Sequence, residues 1–140
     1  MKNADALARD TQLSAFAKAS LAAEIVTAYA RIRYALRRAD VRDVVARLRA
    51  GSAIAPEPSE QGAVRLARAV HRTLAFAPRK SRCLLESLVL TQLLSRRGIA
   101  ASVVIGVQSE GEFAAHAWVE LGSHRLLPSG NGSFEPLVRL

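Results

Sequence analysis

The segment SRCLLESLVLTQLLSRRG (81–98) constrains the fold more than any other stretch of the chain. Leu84, Leu85, Leu88, Val89, Leu90, Leu93 and Leu94 cannot all lie on one helical face, so a helix here must be covered on several sides. Such a helix belongs at the centre of a domain. Arg96, Arg97 and Gly98 give it a basic last turn and a stop. Its apolar run is interrupted by Glu86 and Gln92 and falls short of the roughly 18–20 residues that span a bilayer, so no membrane association is expected.

The remaining elements are arranged around that helix. Residues 1–12 read as frayed, and from Leu13 to Arg38 the pattern is helical, with Leu21, Ile25, Tyr29, Ile32 and Leu36 on one face. Asp40 caps a short second helix striped by Val41, Val44, Val45 and Leu48 and stopped at Gly51. A proline-bearing linker covers 51–58, dividing an N-terminal helical region (1–50) from a core (59–140) within one compact domain. Pro58 and Ser59 open a third helix whose apolar side is Ala63, Leu66, Ala67, Val70, Leu74 and Ala77, ended by Pro78. His71 lies on that helix and reads as an ordinary residue. Strands are expected at Ser102–Gln108, Phe113–Leu121 and Arg125–Leu127, joined by short turns as an antiparallel meander. Helices first and strands later is an α+β order: N-terminal helices packed on a small antiparallel sheet.

Composition excludes several classes. Half of the residues are hydrophobic, so the chain is globular and not a disordered tail. The net charge of +8 rests on 20 basic residues against 12 acidic ones, and only Lys2, Lys18 and Lys80 are lysines. The arginines are scattered over several helices without interleaved aromatics, which argues against a nucleic-acid platform. One cysteine cannot form an internal disulfide, and the N-terminus lacks the apolar stretch of a signal peptide. A cytoplasmic location is therefore expected. One cysteine and scattered His71, His116 and His124 have no zinc-ligand spacing, so neither a metal nor a cofactor is expected.

That one cysteine, Cys83, falls at the expected first turn of the central helix, with Arg79, Lys80 and Arg82 beside it. Unpaired amides and the positive end of the helix dipole stabilise a thiolate there. His116 falls mid-strand in AAHAWVEL (114–121), and an imidazole within reach can take the thiol proton and return it to a leaving amine. A lone cysteine is more commonly a small buried hydrophobe, so the pair gains its weight from position. Trp118 is two residues from His116 on the same side of the strand, either as core or as a wall of the site that contacts substrate.

Cys83-Leu-Leu-Glu-Ser-Leu, then LLSRRGIAASVVIGVQ, then AHAWVEL, resembles the transglutaminase-like leader peptidases of lasso-peptide biosynthesis. The match is dense from about 79 to 121 and looser over 13–77. The family's basic R-R-x-G-I-like helix end stands here as Arg96-Arg97-Gly98-Ile99, without the spacer. The resemblance implies a papain-like or transglutaminase-like cysteine endopeptidase with Cys83 and His116 as catalytic residues. Its substrate would be a ribosomally made precursor peptide, and an ATP-dependent lasso cyclase would act after leader removal. Some members carry a peptide-recognition domain. This chain begins directly with the helical region, so a separate leader-recognition protein is the expected partner. It would dock on the N-terminal helices, where Tyr29, Tyr34 and the arginines from Arg31 to Arg49 combine aromatic and positive groups.

The resemblance also implies an aspartate on the strand after the histidine, yet the last aspartate of this chain is Asp43. A tight hairpin at Gly122–His124 would bring Ser129 to Asn131 opposite or diagonal to His116. Asn131 has the better chemistry, since its carbonyl can accept a histidine N–H; Ser129 and Glu135 are the alternatives. Two other functions share these features: a thiol acyltransferase on the same fold, and a non-catalytic basic module that binds an acidic leader or a partner protein.

Overall fold

A computed structural model describes residues 2–50, 60–108, 110–127 and 134–140, with side chains from Ser14 onward. Four helices precede a four-stranded antiparallel sheet: α1 (Lys2–Ala35), α2 (Val41–Ala50), α3 (Glu60–Thr73), α4 (Arg79–Arg96), β1 (Ser102–Gln108), β2 (Ala114–Leu121), β3 (His124–Arg125) and β4 (Glu135–Arg139). The expected α+β architecture of helices on a small antiparallel sheet is the observed one. The linker 51–58 and the capping pair Pro58 and Ser59 lie outside the described residues.

The leucine-rich helix α4 is the hub, touching α1, α2, α3, β1 and β2. Leu88, Val89, Leu90, Leu93 and Leu94 are fully buried. Each fully buried side chain of this kind contributes roughly 1.5–3 kcal/mol. Two of its buried hydroxyls are satisfied within the helix: Ser87 Oγ donates to the Cys83 carbonyl (2.7 Å) and Thr91 Oγ1 to the Ser87 carbonyl (2.8 Å). The helix ends as the basic turn and glycine predict. Gly98 adopts φ 74°, and the amides of Gly98 and Ile99 cap the carbonyls of Ser95 and Leu94. Arg97 reaches the Glu24 carboxylate of α1 at 3.1 Å, so the Arg-Arg-Gly-Ile motif fastens the central helix to the first one.

Around the hub, Asp40 Oδ1 accepts the Asp43 amide (3.1 Å) and starts α2, as expected of a cap. Arg49 donates to the Ala101 carbonyl at 2.9 Å and to the Leu140 carbonyl at 2.6 Å, tying α2 to the sheet. Three helical boundaries differ from expectation. Residues 2–12 continue α1 instead of fraying, and α1 gives way to turns after Ala35. The end of α3 tightens into a 3-10 turn, Leu74–Phe76, which keeps Leu74 and Ala77 in the core.

The sheet order is β3-β2-β1-β4. Val103 pairs with Val119, and both belong to the core that holds the α4 leucines. Strand alternation then puts His116, Trp118 and Glu120 together on the other face. The β2–β3 hairpin turns at Gly122, with φ 61°, and pairs Leu121 with His124 and Glu120 with Arg125. The third strand is shorter than expected, because Leu126 and Leu127 leave it to become buried. Strand β4 was not expected. It carries Pro136 and pairs only with β1, which is how an edge strand tolerates a proline.

Candidate active site

A cavity of about 640 Å³ lies between α3, the start of α4 and the start of β2. It is bordered by Cys83 and His116 together with His71, Glu86, Arg79 and Lys80. Three consecutive β2 residues, Ala115, His116 and Ala117, reach it. Consecutive residues of a strand point to opposite faces, so the cavity meets β2 at its edge. Among the described residues, β3 pairs with β2 only at Glu120 and Leu121, which leaves that edge facing the cavity.

Cys83 is half-buried and is not in a first turn. The helix starts at Arg79, after Pro78, so Cys83 is its fifth residue. The leading amides belong to the residues before it, and the Ser81 amide already bonds the Pro78 carbonyl (3.2 Å). Dipole stabilisation falls off within the first turn, so the thiol depends more on its neighbours than the sequence suggests. One of those neighbours is tethered: Arg82 donates to the carbonyls of Ala75 and Ala77, pinning the 3-10 turn to α4. Arg79 and Lys80 stand exposed at the rim.

His116 stacks against Trp118 (centroids 6.3 Å apart, planes 23°) and lies 5.2 Å from the Phe134 ring. Trp118 is fully buried, which removes it from substrate contact; the expectation that it walls the site is corrected. It backs the histidine instead. Its indole Nε1–H donates to Glu120 Oε1 at 2.8 Å, and Arg125 lies 4.6 Å over its ring. Glu120 also binds Arg139 of β4 at 2.7 Å. The indole bond, then the arginines, hold the Glu120 carboxyl below its ordinary range against some opposing desolvation. The His-Ala-Trp-Val-Glu run is therefore a buttress that joins β2, β3 and β4 behind His116.

The third-member candidates fare differently. Asn131 and Ser129 lie outside the described residues. Glu135 lies in β4, where it pairs with Val107, and β1 stands between that strand and β2. Two groups in the cavity were missed. His71, read as ordinary, places Nδ1 3.1 Å from Glu86 Oε2. Glu86, read as an interruption in an apolar helix, is buried beside it, one helical turn from Cys83. A glutamate inside a run of leucines was the available signal, since an unpaired buried charge is costly. Burial raises the Glu86 carboxyl above its ordinary range, while His71, Arg82 and His116 act in the opposite direction.

The transglutaminase-like superfamily matches residues 25–139, and the chain belongs to it. The superfamily's fold is that of cysteine peptidases and acyltransferases. No curated protein and no solved structure matches the chain significantly. Among the described residues, no cluster of three or more His, Cys, Asp or Glu could hold a metal ion, and no helix is long and apolar enough to cross a membrane.

Proposed function

We propose that this chain is a cysteine endopeptidase that removes the leader from a ribosomally made lasso-peptide precursor. The observation that carries the reading is the shared cleft of Cys83 and His116 at the N-terminal end of α4. The Cys-Leu-Leu-Glu-Ser-Leu, Arg-Arg-Gly-Ile and His-Ala-Trp-Val-Glu motifs, in that order, supply the family resemblance. Cys83 gives its thiol proton to the His116 imidazole, and the thiolate attacks the scissile carbonyl. The imidazolium then protonates the leaving amine as the C–N bond breaks. A water molecule, deprotonated by His116, hydrolyses the thioester, releasing the leader's new carboxylate and restoring the thiol. No cofactor enters this sequence of steps. A separate leader-recognition protein delivers the precursor, and the ATP-dependent cyclase takes the freed core peptide.

The test is incubation of the purified protein with the precursor, with and without the leader-binding partner, followed by mass spectrometry. Peptidase action gives two fragments whose masses sum to that of the precursor plus one water, and Cys83→Ala gives none. A fragment extended by an added amine would instead identify an acyltransferase, because both reactions share the thioester. Precursor binding without any cleavage would identify the non-catalytic module.

A further inference from the structure

We propose that Glu86 is the acidic member of the site, its Oε1 accepting the His116 ring N–H that does not serve Cys83 while His71 holds Oε2. This rests on the cysteine-enzyme reading and deepens it.

Three observations carry the assignment. Glu86 is 5% exposed, and its Oε1 has no hydrogen-bond partner among the described residues. A buried carboxylate oxygen in that condition loses its hydration without compensation, so it is expected to serve something that enters or turns toward it. The same cavity holds Cys83 and His116, and His116 is near enough for its charge to favour ionised Glu86. Among the described carboxylates after Asp43, Glu86 alone lines this cavity. Glu60 pairs with His124, Glu120 with Trp118 and Arg139, Glu110 and Glu112 lie in the β1–β2 turn, and Glu135 lies two strands from His116.

The chemistry is self-consistent. An ionised Glu86 is costly while its surroundings are neutral, and it becomes favourable when Cys83 transfers its proton and His116 becomes cationic. The proton stays on His116 and Glu86 gains none, so the carboxylate orients and stabilises without itself reacting. The charges facing Glu86 come from each neighbouring element: His71 of α3, Arg82 of its own helix and His116 of β2. His71 is the positioning residue. Its side chain is 52% exposed, and its bond to Oε2 fixes the carboxylate's rotation.

The experiment compares the wild-type protein, Glu86→Gln and His71→Ala. One readout is nitrogen NMR of the His116 ring, which needs no substrate; the other is steady-state precursor cleavage. In the wild type a single neutral tautomer of His116 is expected. In Glu86→Gln, whose amide can donate as well as accept, a mixture of tautomers is expected. Turnover in Glu86→Gln should fall about 10²-fold or more, with KM little changed. His71→Ala alters an exposed side chain and should fold, with turnover reduced about tenfold. Identical His116 spectra in wild type and Glu86→Gln would overturn the assignment. If no protein cleaves the precursor even with the leader-binding partner present, the peptidase reading fails, and the spectra still decide whether Glu86 holds His116.

Discussion

Trp118 lies directly over Gly106 across the β1–β2 pair. A Cβ at residue 106 would stand 2.6 Å from the indole Cη2 and 2.9 Å from the Glu135 carbonyl oxygen. The glycine of the Ile-Gly-Val run is thus a recess for the ring on which His116 stacks. Gly106→Ala should displace either the indole or the β4 backbone. The expected cost is about 1–3 kcal/mol of stability, measured by urea unfolding. Turnover should suffer beyond that, because Gly106 is also the cross-strand partner of His116. An alanine variant with wild-type stability and turnover would show that the recess is not needed.

This relationship marks where sequence reasoning succeeds and where it stops. The central helix was legible because seven leucines and valines in one helical run leave no solvent face, and the structure buries all of them except Leu84, which is half-buried. The β1–β2 pair and the Gly122 hairpin were legible from alternation and turn chemistry. Strand β4 was not, since Glu-Pro-Leu-Val-Arg is short, carries a proline and is mostly exposed, so it lacks the alternation that announces a strand. Trp118 could be placed on the His116 face by counting. Its burial, and hence its role behind the histidine, depends on Glu120, Arg125 and Arg139 converging from three strands. His71 and Glu86 meet only because α3 packs on α4; fifteen residues separate them, and no local pattern records the contact.

The Cys83–His116 pair gives the plainest expectation. Cys83→Ala and His116→Ala should each reduce precursor cleavage by about 10³-fold or more, and the double variant should be hardly worse than either one. Cys83→Ser should be nearly inactive, since a hydroxyl is far less acidic than a thiol. Neither site is fully buried, so circular dichroism should report a folded protein in each case. Normal cleavage by Cys83→Ala would rule out the peptidase assignment.

Trp118→Phe removes the indole donor and leaves the Glu120 carboxylate short of one partner. At neutral pH the expected cost is about 1–3 kcal/mol. Because the Glu120 carboxyl is held below its ordinary value of 4.5, first by the indole bond, its contribution is full above that pH. It is lost as pH falls through the lowered folded value. The stability gap between wild type and Trp118→Phe should therefore narrow as the solution is acidified below 4.5 in a series of urea titrations. A gap independent of pH would mean that lost packing, and not the carboxylate bond, sets the cost.

Delivery of the precursor by a partner should depend on charge. Tyr29, expected as an aromatic anchor, is buried: its ring packs on Phe76 at 5.5 Å and its hydroxyl accepts from Arg33 at 3.1 Å. Tyr34 is 55% exposed with the Arg38 guanidinium 4.4 Å over its ring, so it is the exposed aromatic of that basic surface. Stimulation of cleavage by the leader-binding partner should weaken with rising salt and with Tyr34→Ala. Stimulation indifferent to both would place docking elsewhere on the protein.

Glu86 should show the opposite pH behaviour to Glu120. Burial, the largest influence, lifts its carboxyl above 4.5, although His71, Arg82 and His116 pull it back. In the window just above 4.5 the unfolded chain has released this proton and the folded protein still holds it. Stability then falls as pH rises through that window, and above the folded value the penalty stays constant. Glutamine carries no charge to bury. Glu86→Gln should therefore melt at or above the wild-type temperature at neutral pH, and that advantage should disappear below pH 4.5. If turnover drops in the same variant, Glu86 is a group whose charge the fold tolerates for the sake of the site. A variant that melts well below wild type at neutral pH would show instead that the His71–Glu86 pair holds α3 to α4.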